Sequence, residues 1–132
     1  MKVIINIDVP DLGTGIEFYT RALGVVHTRT LDDDVAELTG ASATLYLLQK
    51  SAGTPAVKQP PIARAYERHW TPVHFDLVVE DVDAAAQRAL AAGARRETGH
   101  VDWRGSRCIS FSDPFGHGFC FIQFEDNGTY SS

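Results

Sequence analysis

Ile4-Ile5-Asn6-Ile7-Asp8-Val9-Pro10-Asp11-Leu12 and His74-Phe75-Asp76-Leu77-Val78-Val79-Glu80-Asp81-Val82 are two versions of one pattern. Each reads as a strand of about seven to nine residues running into an acidic helix start. The copies begin 70 residues apart in a chain of 132, which suits two related half-modules around one core. Downstream of the first copy, Ile16, Tyr19 and Leu23 recur at helical spacing until Gly24 stops the helix. Val25–Leu31, Val35–Thr39 and Thr44–Gln49 follow as strands, separated by Asp32-Asp33-Asp34 and Gly40-Ala41-Ser42. After the second copy, Val82, Ala85, Ala86, Ala89 and Leu90 give a helix that ends at Gly93. Ala94–Val101, Arg104–Ser112 and His117–Phe124 are the remaining strands, the last two joined by the turn Asp113-Pro114-Phe115-Gly116. Both halves therefore read βαβββ.

Between them, Lys50 to Pro72 carries Gly53, Pro55, Pro60 and Pro61, a loop composition, with one helical turn expected near Arg64–Arg68. The organisation expected is a single domain over 1–132: half-module 1–50, linker 51–71, half-module 72–126 and tail 127–132. The stretch from Gly53 to Thr71 is long for a small domain, and serves either as a lid or as a span between modules.

Composition bounds the function. Hydrophobic residues make up 44% of the chain, enough for an ordered globule. A net charge of −5, from 12 basic and 17 acidic residues without a Lys/Arg cluster, argues against nucleic acid as a partner. No apolar run has the length of a membrane span. Cys108 and Cys120 lack redox or metal-finger spacing and are expected to be reduced thiols in a cytoplasmic protein.

Three stretches, taken in order, resemble the vicinal oxygen chelate superfamily, which includes glyoxalase I, extradiol dioxygenases, fosfomycin-inactivating transferases and metal-free bleomycin-binding proteins. They are Ile7–Leu12 with Glu17-Phe18-Tyr19 and Leu23-Gly24; His74–Asp83 with Ala91–Ala94; and Phe111–His117. The resemblance covers nearly the whole chain. It implies an α+β fold of two βαβββ modules with curled, mainly antiparallel sheets (the glyoxalase/bleomycin resistance/dioxygenase fold), and a homodimer. It fixes fold far better than activity, because one scaffold hosts lyases, oxygenases, transferases and plain binders.

In the metal-dependent members, strands one and four of each half supply ligands. Carried onto this chain, the resemblance places those positions at Ile4, Tyr46, His74 and Cys120, with Leu45 or Leu47 replacing Tyr46 if the fourth strand shifts by one. One imidazole survives where a divalent cation needs three or four donors, so the family metal site is read as lost and no cofactor is expected. A Cys and His pair would still attract zinc if Asp76, His69 or His100 came within reach.

Period-two alternation puts Asn6 and Asp8 on the face of Ile4, and Asp76 on the face of His74. Polar side chains there either line a binding cavity or satisfy one another across a module interface. His74 with Asp76 is the candidate acid–base pair. Cys120 reads as a packing thiol between Phe119 and Phe121 rather than a nucleophile, and His117 as part of the turn. Tyr46, Trp70, Phe75 and Trp103, with His69, His100 and Arg107 nearby, are expected to border a slot for a flat molecule, although a Trp at a loop edge serves equally as an interface anchor.

The expected ligand-binding set is Asn6, Asp8, Tyr46, His74, Asp76, Trp103 and Cys120. The reading reached is a metal-independent binder of a small hydrophobic or aromatic molecule. The alternatives are a lyase, isomerase, hydrolase or dioxygenase-type enzyme using His74 at an atypical metal site, and a domain that mainly mediates assembly.

Overall fold

The computed structural model describes residues 1–125 and 128–132, so the expected boundary between module and tail at 126–127 lies outside the described residues. The chain forms two compact units, 1–66 and 67–132. The expected linker is thereby divided: its first part belongs with the first unit and residues 67–71 with the second.

The first unit runs β1 (Ile4–Val9), α1 (Leu12–Leu23), β2 (Val26–Leu31), β3 (Val35–Thr39), β4 (Thr44–Gln49) and a small hairpin of β5 (Pro55–Val57) and β6 (Ile62–Ala63). Its main sheet has the order β1-β4-β3-β2, with β1 parallel to β4 and the other pairs antiparallel. Alternation decides the faces. Ile7, Val9, Ala36, Leu38, Leu45 and Leu47 are buried on one face, and Phe18, Tyr19 and Ala22 of α1 are buried with them. Burying a side chain such as Phe18 stabilises by roughly 1.5–3 kcal/mol before chain entropy is counted. Gly15 lets the helix approach closely, since a Cβ there would stand 3.1 Å from the Val9 methyls. Ile4, Asn6, Glu37 and Tyr46 occupy the opposite, open face.

The second unit runs β7 (Phe75–Val78), α2 (Val82–Ala92), β8 (Arg95–Arg96), β9 (Val101–Trp103), β10 (Ser106–Ser112) and β11 (Gly118–Phe124). The order is β7-β11-β10-β8, with β9 also on β10, and again only the first strand pairs in parallel. Phe75, Leu77, Phe119, Phe121, Ile109 and Phe111 share one face, the last four of them buried, and the aromatic rings stack or meet edge-on. α2 contacts β10 and β11 and buries Val82, Ala85, Ala86 and Ala89.

Matching details in both units explain the repeat. Asp11 and Asp81 cap the helices by accepting from backbone N–H groups of the first turn, Thr14 in one case and Asp83 and Ala84 in the other. Gln49 and Gln123, at the ends of β4 and β11, accept from the N–H of Leu12 and Val82 at 2.8 and 2.9 Å. Gly24 and Gly93 end the helices in left-handed conformation, as their positions predicted.

Two expectations need correction. The strand expected over Ala94–Val101 is broken into β8 and β9, because the Thr98 hydroxyl, rather than another ladder residue, accepts from the Ser110 N–H. The helical turn near Arg64–Arg68 is absent. The Arg64 N–H instead bonds the Thr54 carbonyl, continuing the β5-β6 hairpin.

Candidate functional site

Register brings the second unit's chemistry onto its open face. Cys120 lies opposite Ser110 on β10 and opposite Asp76 on β7, so all three side chains point to the same side, and His74 precedes Asp76 by two residues. The ligating atoms of His74, Asp76 and Cys120 all lie within 4.8 Å of one another. His74 Nε2 is 3.6 Å from Asp76 Oδ1, with side chains 44% and 39% exposed. That is longer than a hydrogen bond, so any acid–base pairing needs a rotamer change. The Ser110 hydroxyl is 3.3 Å from the Cys120 sulfur. Burial pushes the Cys120 thiol up to about 12 and the Cys108 thiol up as well. A thiol so shifted is protonated at neutral pH and is a poor nucleophile.

Aromatic rings stand at both ends of this face. Trp70 lies over Gly118, where a Cβ would come 2.5 Å from the indole, and its ring centroid is 5.4 Å from that of His74. Its indole N–H is buried without a hydrogen-bond partner among the described residues. At the other end Tyr130 meets both Trp103 and Phe124 edge-on at 5.0 Å. The Tyr130 hydroxyl is pushed up by burial and by the nearby negative charge of Asp76. Trp103 and Phe124 belong to this face because both pair with Ser106.

The seven residues expected to bind a ligand are thus split between the units. His74, Asp76, Trp103 and Cys120 share the open face of the second; Asn6, Asp8 and Tyr46 share that of the first. Asn6 pairs in register with Tyr46 as Asp76 does with Cys120, so Tyr46, and neither Leu45 nor Leu47, is the counterpart of Cys120. In the first unit charged partners occupy the polar groups. Tyr46 donates to Glu37 at 2.6 Å, Glu37 also pairs with Arg29, and Asp8 takes a 2.7 Å bond from Arg64.

Three expected neighbours of the slot face elsewhere. Phe75 points to the opposite face and stacks on Phe119. Arg107 pairs with Asp102, and His100 with Asp83. These pairs sit in or beside an open groove of about 640 Å³ bordered by Glu80, Asp83, Asp102, Arg104, Arg107 and Glu125. Paired charges exposed to solvent make it a weaker candidate than the face carrying Cys120. Sequence reasoning missed Tyr130, Ser110, Arg29, Glu37 and Arg64. Alternation from Cys108 would have found Ser110; Arg29 and Glu37 face each other across the β2–β3 hairpin, whereas Arg64 and Asp8 are joined from distant segments.

The four family metal positions fail a fit test, because Ile4 has no donor and the Tyr46 hydroxyl is committed to Glu37. That commitment has a pH signature. The Tyr46 hydroxyl, then Arg29 and Thr28, hold Glu37 down from 4.5 to about 2. Its contribution to stability is full above the unfolded value and is lost as pH falls through 4.5 toward 2. Acid unfolding followed by circular dichroism should therefore be steeper across that window for the native chain than for Glu37→Gln. Equal slopes would remove the argument.

With this geometry in hand, the comparisons identify the class. The glyoxalase-like domain family matches residues 4–122, and this chain belongs to that family. An uncharacterized protein of Mycobacterium bovis is 32% identical over 113 residues, covering 83% of this chain and 74% of its own length. A glyoxalase-related enzyme from Fulvimarina pelagi superposes with TM-score 0.74 at 14% identity, covering 100% of this chain and 99% of that one. A glyoxalase/bleomycin resistance protein/dioxygenase from Nocardioides gives 0.69 at 22% identity, covering 100% and 88%. The α+β fold expected from the resemblance is thereby established. Among the described residues no helix is long and apolar enough to cross a membrane.

Proposed function

We propose that this glyoxalase-like protein binds a small, flat, largely aromatic molecule against the open face of its second unit, and that this recognition needs no metal ion. One arrangement carries the reading: Trp70 at one end and Trp103 with Tyr130 and Phe124 at the other flank His74, Asp76 and Cys120. Rings of this kind supply apolar contact, and the few polar groups between them fix orientation.

Saturation-transfer NMR on chelator-treated protein, with a mixture of one- and two-ring aromatic fragments as probes, tests this. Transfer to at least one fragment is expected, falling several-fold in Trp103→Ala. Absence of transfer, or transfer indifferent to Trp103 and Trp70, would refute the reading.

A second reading, an enzyme of the lyase, isomerase or dioxygenase type, is favoured by the convergence of three potential metal donors at His74. We also propose a homodimer. The edge strand β2 is exposed at all six residues, including Val26, and offers a surface for pairing. Sedimentation equilibrium giving only the monomer mass would exclude it.

A further inference from the structure

We infer that His74, Asp76 and Cys120 form a three-ligand site for a zinc-class cation lying wholly within the second unit. This goes beyond binding of an organic molecule, since the aromatic rings can hold such a molecule whether or not a cation is present. It also departs from the four-position set that the family resemblance implies, which draws on both halves and fails here.

Donor chemistry selects the ion. A thiolate, an imidazole and a carboxylate are the three ligand types zinc accepts, whereas calcium and magnesium require oxygen donors. Soft thiolate ligation further excludes the hard cations. Geometry permits the site. Zinc bonds of about 2.0–2.3 Å in a tetrahedron put ligand atoms about 3.5 Å apart, and the three donor atoms already lie within 4.8 Å. The remaining ångström or so can be closed by side-chain rotation. His74 and Asp76 are free to rotate, being 44% and 39% exposed, while Cys120 is held on the central strand β11. Ser110, 3.3 Å from the sulfur, is placed to donate a hydrogen bond to the thiolate once a cation has displaced its proton to water. Three protein ligands leave the fourth position open.

The first unit acts as an internal control. At the corresponding register it carries Ile4, Asn6 and Tyr46 on the same kind of sheet, so the fold itself does not call for a His, Asp and Cys there. A packing role accounts for a buried Cys120. It does not account for a carboxylate from the neighbouring strand β7 and an imidazole from the residues just before it converging on the sulfur.

Cobalt(II), added to the chelator-stripped full chain, is the spectroscopic probe. Expected are a near-ultraviolet thiolate-to-cobalt charge-transfer band and intense visible bands of low coordination number, both erased by zinc. Cys120→Ser should abolish the charge-transfer band, and Cys108→Ser should keep it. His74→Ala and Asp76→Asn should each weaken cobalt binding at least tenfold. Zinc should raise the Tm of the native chain and leave that of Cys120→Ser unchanged. Far-ultraviolet circular dichroism establishes that each variant is folded before it is scored. No charge-transfer band at saturating cobalt, or one that survives in Cys120→Ser, would overturn the site. Fragment binding measured in chelator is a separate readout, so failure of either proposal is distinguishable from failure of the other.

Discussion

Phe119→Ala is expected to destabilise the second unit by about 3–5 kcal/mol, a large part of the 5–15 kcal/mol typical of a whole domain. Phe119 is 1% exposed on the central strand β11, and its ring lies 6.3 Å from Phe75, 5.8 Å from Phe111 and 5.5 Å from Phe121. Removing it deletes apolar burial and leaves a cavity that its neighbours cannot collapse to fill. The helix on that sheet packs through Ala85, Ala86 and Ala89, whose short side chains have nothing to extend into the gap. Urea unfolding should report the loss as a shifted midpoint with little change in slope. A loss below 1 kcal/mol would mean that this ring cluster is not the core of the unit. Because Cys120 stands between Phe119 and Phe121, the same substitution should loosen the site on the other side of the sheet.

Gly118→Ala should detach the segment carrying Trp70 from β11 at a smaller cost in global stability. An added Cβ would lie 2.5 and 2.6 Å from the indole and 2.8 Å from the His69 carbonyl oxygen, so backbone as well as side chain must shift. That segment is held by two backbone bonds, the His69 N–H to the Gly116 carbonyl at 2.6 Å and the Gly118 N–H to the His69 carbonyl at 2.8 Å. Neither survives an outward movement of about 1 Å with good geometry. Amide hydrogen exchange at His69 and Gly118 should accelerate by at least tenfold, Trp70 should become more exposed to fluorescence quenchers, and fragment binding should fall. Unchanged exchange would show that the segment accommodates a methyl group, and the placement of Trp70 over the sheet would then carry no functional weight.

These two residues also show what could be read from the chain and what could not. The alternation of Phe119 and Phe121 with Cys120, and the Asp-to-Gly helix brackets 11–24 and 81–93, are local signals. They located both helices and the long strands to within a residue or two. The duplicated strand starts fixed which residue corresponds to which, and the paired registers Asn6 with Tyr46 and Asp76 with Cys120 agree. Phe75 was misplaced. It neighbours His74 in sequence, but period two sends it to the opposite face, where it stacks on Phe119.

Tertiary pairing was illegible for a different reason. The bonds from Arg64 to Asp8 and Arg68 to Glu97 depend on how loops return, which no local pattern encodes. The broken strand between Arg95 and Trp103 belongs to the same class, since a side chain took over a ladder position. Tyr130 lies near the chain end, where composition predicts only a tail, yet it closes the aromatic wall with Trp103 and Phe124. Cys120 was legible as a packing residue, and its burial agrees. Its convergence with Asp76 of β7 and with His74 just before that strand required the register of a parallel strand pair.

The central claim is that the open face of the second unit is the binding surface, and the indole N–H resonances of Trp70 and Trp103 report on it most directly. In a two-dimensional nitrogen–proton spectrum of isotopically labelled protein, titration with an aromatic fragment that scores in saturation transfer should shift both indole signals with one common saturation curve. A titration that saturates while leaving both indole signals in place would contradict the account.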